Sequence, residues 1–294
     1  MTTRHLTWVF LLHAVAGLAL ADETGSEIYR SSVRALASPD FQVREAASRR
    51  LVSGGPAAVR AVLDFADLKD LEVFTRVVQL IHITAARHDS VSMQAALTRL
   101  RQMDASHDPM IRSRASQVLA AIHRRSLESV IGAGGKLQPV TWPDGKTGIK
   151  VTLYSWRKST LVALMSLSHL HLVLSGPRFE DSSLTDLHKL KNLRVLDIRY
   201  TRASDTTLRR IAQITDLQKL YLSRTRITDH GVKHLRNLRQ LTDLFLTDTV
   251  VTNSSLRPLE QLPSLRRVSL RGTRVTESAI RGFRARRPEC HVQF

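Results

Sequence analysis

The sequence is poor in cysteine, in aromatic residues and in long apolar runs. Cys290 is the only cysteine among the 294 residues, so an intrachain disulfide is excluded and packing alone must hold the fold. Beyond Leu20 no segment is apolar for the roughly 20 residues that a membrane-spanning helix needs. With 43% hydrophobic and 24% charged residues, the composition still predicts a folded globular protein of one or two domains.

The amino terminus has the order of a secretory signal peptide. Arg4 precedes an apolar run from Leu6 to Leu20, which ends in the small-residue sequence Ala19-Leu20-Ala21. This order predicts that residues 1–21 are a signal peptide cleaved after Ala21, and that the mature protein is exported to the periplasm, the cell envelope or the cell exterior. The alternative is a retained membrane anchor, which the short run and His13 disfavour.

Positive charge is concentrated in the second half of this basic protein, whose formal net charge is +18. Residues 1–149 contain 18 Lys and Arg against 14 Asp and Glu, an excess of 4, whereas residues 150–294 contain 26 against 12, an excess of 14. A surface of one sign attracts polyanions. The alternative is that solvated arginines merely keep the protein soluble.

Residues 22–126 carry the pattern of short amphipathic helices. Apolar residues recur at intervals of three and four from Ile28 to about Arg125. The pattern breaks at Ser38-Pro39-Asp40 and at residues 53–56, where Ser or Asp suits a helix cap and Pro suits a first turn.

Three segments of this helical region are weakly similar to one another, namely Asp40–Ala47, Asp70–Phe74 and Asp108–Ala115. They resemble HEAT-type repeats, although Phe74 stands where the family has Arg. The resemblance implies a stack of helical hairpins. A plain helical bundle is the alternative.

Residues 169–294 repeat themselves at an interval of 24 residues. Four segments superpose without a gap: Leu193-x-x-Leu196-x-Ile198-x-x-Thr201, Leu217-x-x-Leu220-x-Leu222-x-x-Thr225, Leu241-x-x-Leu244-x-Leu246-x-x-Thr249 and Leu265-x-x-Val268-x-Leu270-x-x-Thr273. In each, the alternating apolar pair predicts a strand with one buried face, and a polar pair after the Thr predicts a cap for a short returning helix. One such unit cannot bury its apolar side alone, so neighbours must stack.

This pattern resembles the bacterial 24-residue form of the leucine-rich repeat. The resemblance implies an α/β repeat solenoid with a parallel sheet on its concave face, preceded by the all-α HEAT-like domain. Residues 127–168 are expected to be a capping or linker region with a short hairpin at Pro143-Asp144-Gly145. A HEAT-like region joined to such repeats behind a signal peptide is similar to exported proteins of planctomycete-type bacteria.

Candidate binding residues follow from the alternation of the predicted strands. The expected concave surface consists of Arg199, Tyr200, Lys219, Tyr221, Arg224, Phe245, Asp248 and Arg271. Its three large rings are typical of recognition sites, but they also suit ordinary cross-strand packing. The residue after each Thr gives a second candidate, a basic rim of Arg202, Arg226 and Arg274 that Val250 interrupts. The rim suits an anionic polymer or is a solvated edge.

Motifs for catalysis are incomplete in this sequence. Residues 132–136 resemble a phosphate-binding loop, but Leu137 replaces the Ser or Thr that would bind magnesium. His230 and His234 lie one helical turn apart without a third ligand. We therefore predict a non-enzymatic protein without catalytic residues, metal or cofactor.

The sequence as a whole predicts an exported recognition or scaffolding module that binds a protein partner through its concave sheet. An anionic polymer on the basic surface, or a purely structural role in the cell envelope, are the alternatives. Nucleic acid is not expected as a partner, because export would separate it from the protein.

Overall fold

The computed structural model describes residues 27–86 and 90–294. These residues form two compact units, which divide between Ile122 and His123, whereas the sequence analysis ended the helical domain at residue 126. The predicted signal peptide lies outside the described residues. Within the described ranges, no helix is both long and apolar enough to cross a bilayer.

The described part of the first unit consists of helices joined by short turns. The helices are α1 (residues 27–35), α2 (Phe41–Ser53), α3 (Gly55–Phe65), α4 (Leu71–Ala86), α5 (Ser90–Asp104) and the first half of α6 (Pro109–Gly132). Helix α3 packs against α2, α4 and α5. Their shared core includes Leu36, Leu51, Val62, Ile81 and Leu97, each at most 3% exposed.

The three similar segments of the helical region each begin a helix. Asp40, Asp70 and Asp108 accept hydrogen bonds from backbone N–H groups at the starts of α2, α4 and α6, at 2.7, 3.0 and 2.9 Å. Such capping satisfies N–H groups that have no partner inside the helix. The identification of these helices as HEAT-like repeats stays a prediction.

The second unit is built on one eight-stranded sheet whose strands follow chain order. The strands are β1 (Lys136–Thr141), β2 (Thr147–Leu153), β3 (Leu170–Leu174), β4 (Leu193–Asp197), β5 (Lys219–Tyr221), β6 (Asp243–Phe245), β7 (Arg267–Ser269) and β8 (His291–Gln293). The helices between them are α7 (Lys158–Ser166), α8 (Asp205–Ile211), α9 (Asp229–Val232), α10 (Leu256–Glu260) and α11 (Glu277–Arg286), with short 3-10 turns.

The first two strands form an antiparallel hairpin, and β2 then pairs in parallel with β3. The hairpin turns at Pro143-Asp144-Gly145, where Gly145 takes a φ of 75° that an L side chain rarely adopts. Its strands are longer than the sequence pattern indicates and are continuous with the sheet of the repeats. The edge strand β1 contains Pro139, which cannot donate a backbone hydrogen bond to another chain.

Strands β4 to β8 stack in register. Leu196 pairs with Leu220, Leu220 with Leu244, Leu244 with Val268 and Val268 with Val292, each 24 positions further along the chain. The first four of these side chains are completely buried. Burial of one such side chain contributes about 1.5–3 kcal/mol, so this apolar column is a main source of stability.

Two polar columns stabilise each turn from within. The hydroxyls of Thr201, Thr225, Thr249 and Thr273 donate to the carbonyl three residues earlier, at 2.6–2.8 Å. Further along each turn, Ser204, Thr228, Thr252 and Thr276 cap the helical segments that follow. The polar pairs of the sequence therefore act as caps, as their chemistry predicts.

The residue after each cap reaches forward to the next turn. Asp205 accepts from the backbone N–H and the hydroxyl of Thr228, at 2.8 and 2.6 Å, and Asp229 accepts from the same groups of Thr252, at 2.8 and 2.7 Å. Asn253 continues the row by accepting from the N–H of Thr276 at 2.9 Å. We call this row, which begins at Asp181, the acid ladder.

Candidate functional site

One face of the sheet between β4 and β7 is partly exposed: Arg267 is exposed and Lys219, Tyr221 and Phe245 are half-buried, whereas Val195, Asp197, Asp243 and Ser269 are buried. Its residues alternate with the buried leucines, so their side chains point away from the core. We define the open sheet face by Val195, Asp197, Lys219, Tyr221, Asp243, Phe245, Arg267 and Ser269. Adjacent strands lie about 4.8 Å apart, which places equivalent side chains in direct contact.

An aromatic stack lies at the centre of this face. The rings of Tyr221 and Phe245 are parallel within 3°, with centroids 4.5 Å apart. The guanidinium of Arg199 lies 5.2 Å from the centroid of the Tyr221 ring, which is a cation–π contact. Arg199, Tyr221 and Phe245 thus form three successive layers, which we call the Arg–Tyr–Phe stack.

A buried carboxylate fixes the arginine of the stack. Asp197 is only 7% exposed and binds Arg199 through two hydrogen bonds, at 2.9 Å to Nε and 2.7 Å to Nη2. The bond to Asp197 raises the pKa of Arg199 above its ordinary value. Burial, with Asp243 and Asp197 nearby, raises the pKa of Tyr221, so its hydroxyl stays protonated at neutral pH.

A second row of predicted site residues lies beyond the strand ends. Tyr200, Arg224 and Asp248 have φ values of 61°, 56° and 56°, in the left-handed region. Their backbone N–H groups donate to carbonyls of the next turn, at 2.9–3.1 Å, and these bonds hold a conformation that costs such residues about 1–2 kcal/mol each. The Arg224 guanidinium lies 5.3 Å from the Tyr200 ring centroid, and its Nε binds Asp248 at 2.9 Å.

The structure therefore divides the predicted concave surface into two groups. Tyr221, Phe245 and Lys219 lie on strands, and Arg199 folds back over them. Tyr200, Arg224 and Asp248 lie in the turns, each three residues after the end of a strand, and they adopt the left-handed conformation themselves. Tyr200 is 54% exposed and is not part of the aromatic stack. Arg271 is exposed beside these turns, where its carbonyl accepts from Asp248.

Charged residues flank the stack on the open sheet face. Arg267 forms an ion pair with the nearly buried Asp243 at 3.3 Å. Lys219 is half-buried and forms no ion pair with any residue that the structure describes. Burial, together with Lys150, Lys219 and Arg199, lowers the pKa of His171 to about 4, so this histidine is neutral at pH 7. The face therefore presents fixed arginines and one unpaired lysine around an aromatic centre.

The basic rim is exposed to solvent. The backbone N–H groups of Arg202, Arg226 and Arg274 donate to Phe179, Ala203 and Val251 of the preceding turn, at 2.8–2.9 Å. None of the three guanidiniums forms an ion pair within residues 27–86 and 90–294. Arg178, 24 residues before Arg202, is exposed as well and extends the rim. The repeat interval itself could have revealed Arg178.

Groups suited to catalysis are scattered in the second unit. No cluster of three or more His, Cys, Asp or Glu side chains that could bind a metal occurs among the described residues. Cys290 is buried, and burial raises the pKa of its thiol, which disfavours the reactive thiolate.

Comparison with known proteins gives structural neighbours alone, since no family model and no curated protein match. A leucine-rich-repeat protein of Leptospira interrogans shares 20% identity over 49% of this chain and 41% of that chain, with a TM-score of 0.34. An internalin of Listeria monocytogenes shares 21% identity over 45% of this chain and 43% of the internalin chain, with a TM-score of 0.31. The leucine-rich-repeat ectodomain of the Arabidopsis thaliana receptor kinase SOBIR1 shares 19% identity over 53% of this chain and 94% of the ectodomain chain, with a TM-score of 0.30.

All three TM-scores lie below 0.35, and this chain spans less than half of the Leptospira and Listeria chains. The fold of the second unit is shown by its stacked strand, turn and helix units and by the register of their leucines. The second unit is a leucine-rich-repeat-like α/β solenoid. The bacterial lineage and the HEAT-like region stay predictions.

Proposed function

We propose that this protein is an exported, non-enzymatic recognition or scaffolding module, and that it holds a partner protein on the open sheet face of its leucine-rich-repeat unit. The Arg–Tyr–Phe stack is the observation that supports this proposal. It joins the residue types that dominate binding energy at protein interfaces, an arginine and large aromatic rings.

The stack is already ordered without a partner. Asp197 fixes Arg199, Arg199 lies on Tyr221, and Tyr221 lies on Phe245. A partner that docks here loses little side-chain entropy of this protein on binding, and such preorganisation increases affinity. The flanking Lys219 and Arg267 favour a partner surface that carries carboxylates.

Loss of the two rings is expected to abolish most of the binding. We expect Tyr221→Ala with Phe245→Ala to weaken partner binding by tenfold or more, since a central hot-spot residue contributes about 2 kcal/mol or more. The partner is first captured by photo-crosslinking from a benzophenone amino acid at position 245. Its affinity for the wild type and the variant is then measured by titration.

The matched control is Tyr200→Ala, which removes an exposed ring that lies outside the stack. It should leave the affinity within about twofold, as for residues away from the centre of an interface. Equal affinity of the wild type and the double variant would remove the open sheet face as the binding site.

The proposed export depends on residues 1–21, which lie outside the described structure. Amino-terminal sequencing of the protein from fractionated cells is expected to begin at Asp22, in an exported fraction. A cytoplasmic protein that begins at Met1 would contradict this part of the proposal. Val250 interrupts the rim of Arg202, Arg226 and Arg274, so the rim offers an anionic polymer no continuous row of charge.

A further inference from the structure

A second column of positive charge runs along the helical side of the leucine-rich-repeat unit. Arg209 of α8, Lys233 after α9, Arg257 of α10 and Arg281 of α11 are each 24 positions apart, and all four are exposed. Stacking places them at the same point of four consecutive turns. Unlike the rim, this column has no interruption.

Acidic residues compensate the column only in part, since the charge of Lys233 already acts on Asp229 of the same turn. Arg281 binds Glu277 at 3.2 Å, but both side chains are highly exposed, at 67% and 75%, and such pairs are weak. The other three cations form no ion pair within the described part of the chain. Asp205 and Asp229, at the starts of the helical segments, are engaged by hydroxyl and backbone donors of the next turn.

A groove of about 610 Å³ lies at one end of this column, between α10 and α11. Its charged lining residues are Arg257, Arg286 and Glu260, and Leu256, Ser278, Ala279 and Gly282 are among the others. The groove is open because residues 279 and 282 of α11 have no long side chain.

Of the two arginines that line the groove, Arg286 is paired with an acid, whereas Arg257 is not paired with any described acid. Arg286 stands where the two preceding turns have Leu238 and Leu262, and its guanidinium binds Glu260 at 2.7 and 2.9 Å. Arg257 has no acidic partner among the described residues. An anion that enters the groove therefore meets Arg257 as its unneutralised partner.

We propose that this helical side binds a linear anionic polysaccharide. The polymer lies along Arg209, Lys233, Arg257 and Arg281, and one of its sugar units occupies the groove between α10 and α11 with its sulfate or carboxylate on Arg257. Guanidinium groups bind both anions through paired hydrogen bonds. This site is independent of the open sheet face and of the partner proposed for it.

The lining of the groove favours a sugar over a nucleic acid. Proteins that bind single-stranded nucleic acids stack the bases on aromatic side chains. No aromatic residue lines the groove, and the column contains only Arg and Lys. The hydroxyl of Ser278, beside the apolar Leu256 and Ala279, offers a sugar ring both polar and apolar contacts.

The test uses the purified full-length protein and three probes of similar length: a heparin oligosaccharide, a hyaluronan oligosaccharide and single-stranded oligothymidine. The first two distinguish sulfate from carboxylate, and the third reports binding by charge alone. Affinities are measured by calorimetry at several salt concentrations. We expect at least one polysaccharide to bind about tenfold or more tightly than the oligothymidine.

Two variants with the same change in charge locate the site. Arg209→Gln, Lys233→Gln, Arg257→Gln and Arg281→Gln together are expected to weaken polysaccharide binding about tenfold or more and to reduce the salt slope by about one for each cation that had paired with the polymer. Arg178→Gln, Arg202→Gln, Arg226→Gln and Arg274→Gln remove four rim charges and should change the affinity less than about threefold, as screened long-range charges do. Equal reductions in affinity in both variants would overturn the proposal.

The groove has a test of its own. Gly282→Leu fills it without a change in charge, and a Cβ there meets only the flexible end of Arg286, at 3.3 Å. We expect a three- to tenfold loss of affinity, an unchanged salt slope and a melting temperature no lower than that of the wild type, since Leu favours the helix more than Gly does. Binding of the wild type to no polysaccharide, or no tighter binding than to oligothymidine, would overturn the proposal, as would wild-type affinity in a folded Gly282→Leu variant.

Discussion

Leu244→Ala is expected to lower the free energy of unfolding of the leucine-rich-repeat unit by about 2–5 kcal/mol. Leu244 is completely buried in β6, between Leu220 of the preceding turn and Val268 of the next. Truncation removes apolar packing on both sides at once, and close-packed neighbours cannot relax to fill the cavity. Urea unfolding followed by circular dichroism measures the change.

The adjacent residue provides the control. Phe245→Ala changes the open sheet face and leaves the core column intact, so its cost in stability is expected to be about 1 kcal/mol, mainly from the missing ring stacking on Tyr221. A similar loss of stability in the two variants would mean that the alternation of β6 is not as described. The comparison thus tests the orientation of the strand that carries the proposed binding site.

Asp229→Ala is expected to lower the free energy of unfolding by about 2–4 kcal/mol, through loss of the acid ladder at its centre. The carboxylate accepts from the backbone N–H and the hydroxyl of Thr252 and from the hydroxyl of Ser255. Ser255 is completely buried, so its hydroxyl would lose a partner that water cannot replace. Thermal and urea unfolding of the variant measure the loss.

Asp229→Asn is the matched control, because Asn253 already performs this role one turn later. The amide keeps an acceptor for the N–H of Thr252, so we expect a loss of only about 1 kcal/mol. An Asn variant as unstable as the Ala variant would contradict a role based on hydrogen-bond acceptance and would indicate that the charge itself is required.

The pH dependence of stability follows from the same carboxylate. Burial raises the pKa of Asp229, but hydrogen bonds from Ser255 and Thr252 outweigh it, and the net pKa lies below the ordinary value. A lowered pKa in the folded state stabilises the protein above the ordinary value near 3.8 and ceases to do so as the pH falls through the folded value. Stability below about pH 4 is therefore expected to fall less steeply in Asp229→Asn than in the wild type.

Much of the repeat architecture could be predicted from the sequence because its determinants are local and periodic. Leu220 and Leu244 alternate with polar residues on short strands, and Thr228 and Thr252 precede helical segments as good caps. Tyr221 and Phe245 follow the same alternation onto the open sheet face. Each of these features depends on neighbours within one turn or at the same point of the next.

The other features of the candidate site depend on backbone conformation and on ion pairing, which the repeat pattern of apolar residues does not indicate. Tyr200, Arg224 and Asp248 adopt left-handed φ values that glycine favours, and Gly272 alone signals this at the fourth position of the row. The contact of Arg199 with Tyr221 depends on Asp197. This residue is buried, whereas the sequence alone suggests an exposed acid. The groove beside Arg257 depends on the packing of α10 against α11.

The acid ladder has a consequence for how such a protein can change in evolution. Each rung joins a residue of one turn to the cap of the next, as Asp205 does with Thr228 and Asn253 with Thr276. Excision of residues 229–252 would join Thr228 directly to Asn253 and leave both of these rungs in place. Gene segments that encode a whole turn can therefore be removed or duplicated without a broken rung, so the length of both proposed binding surfaces is open to selection in steps of one turn.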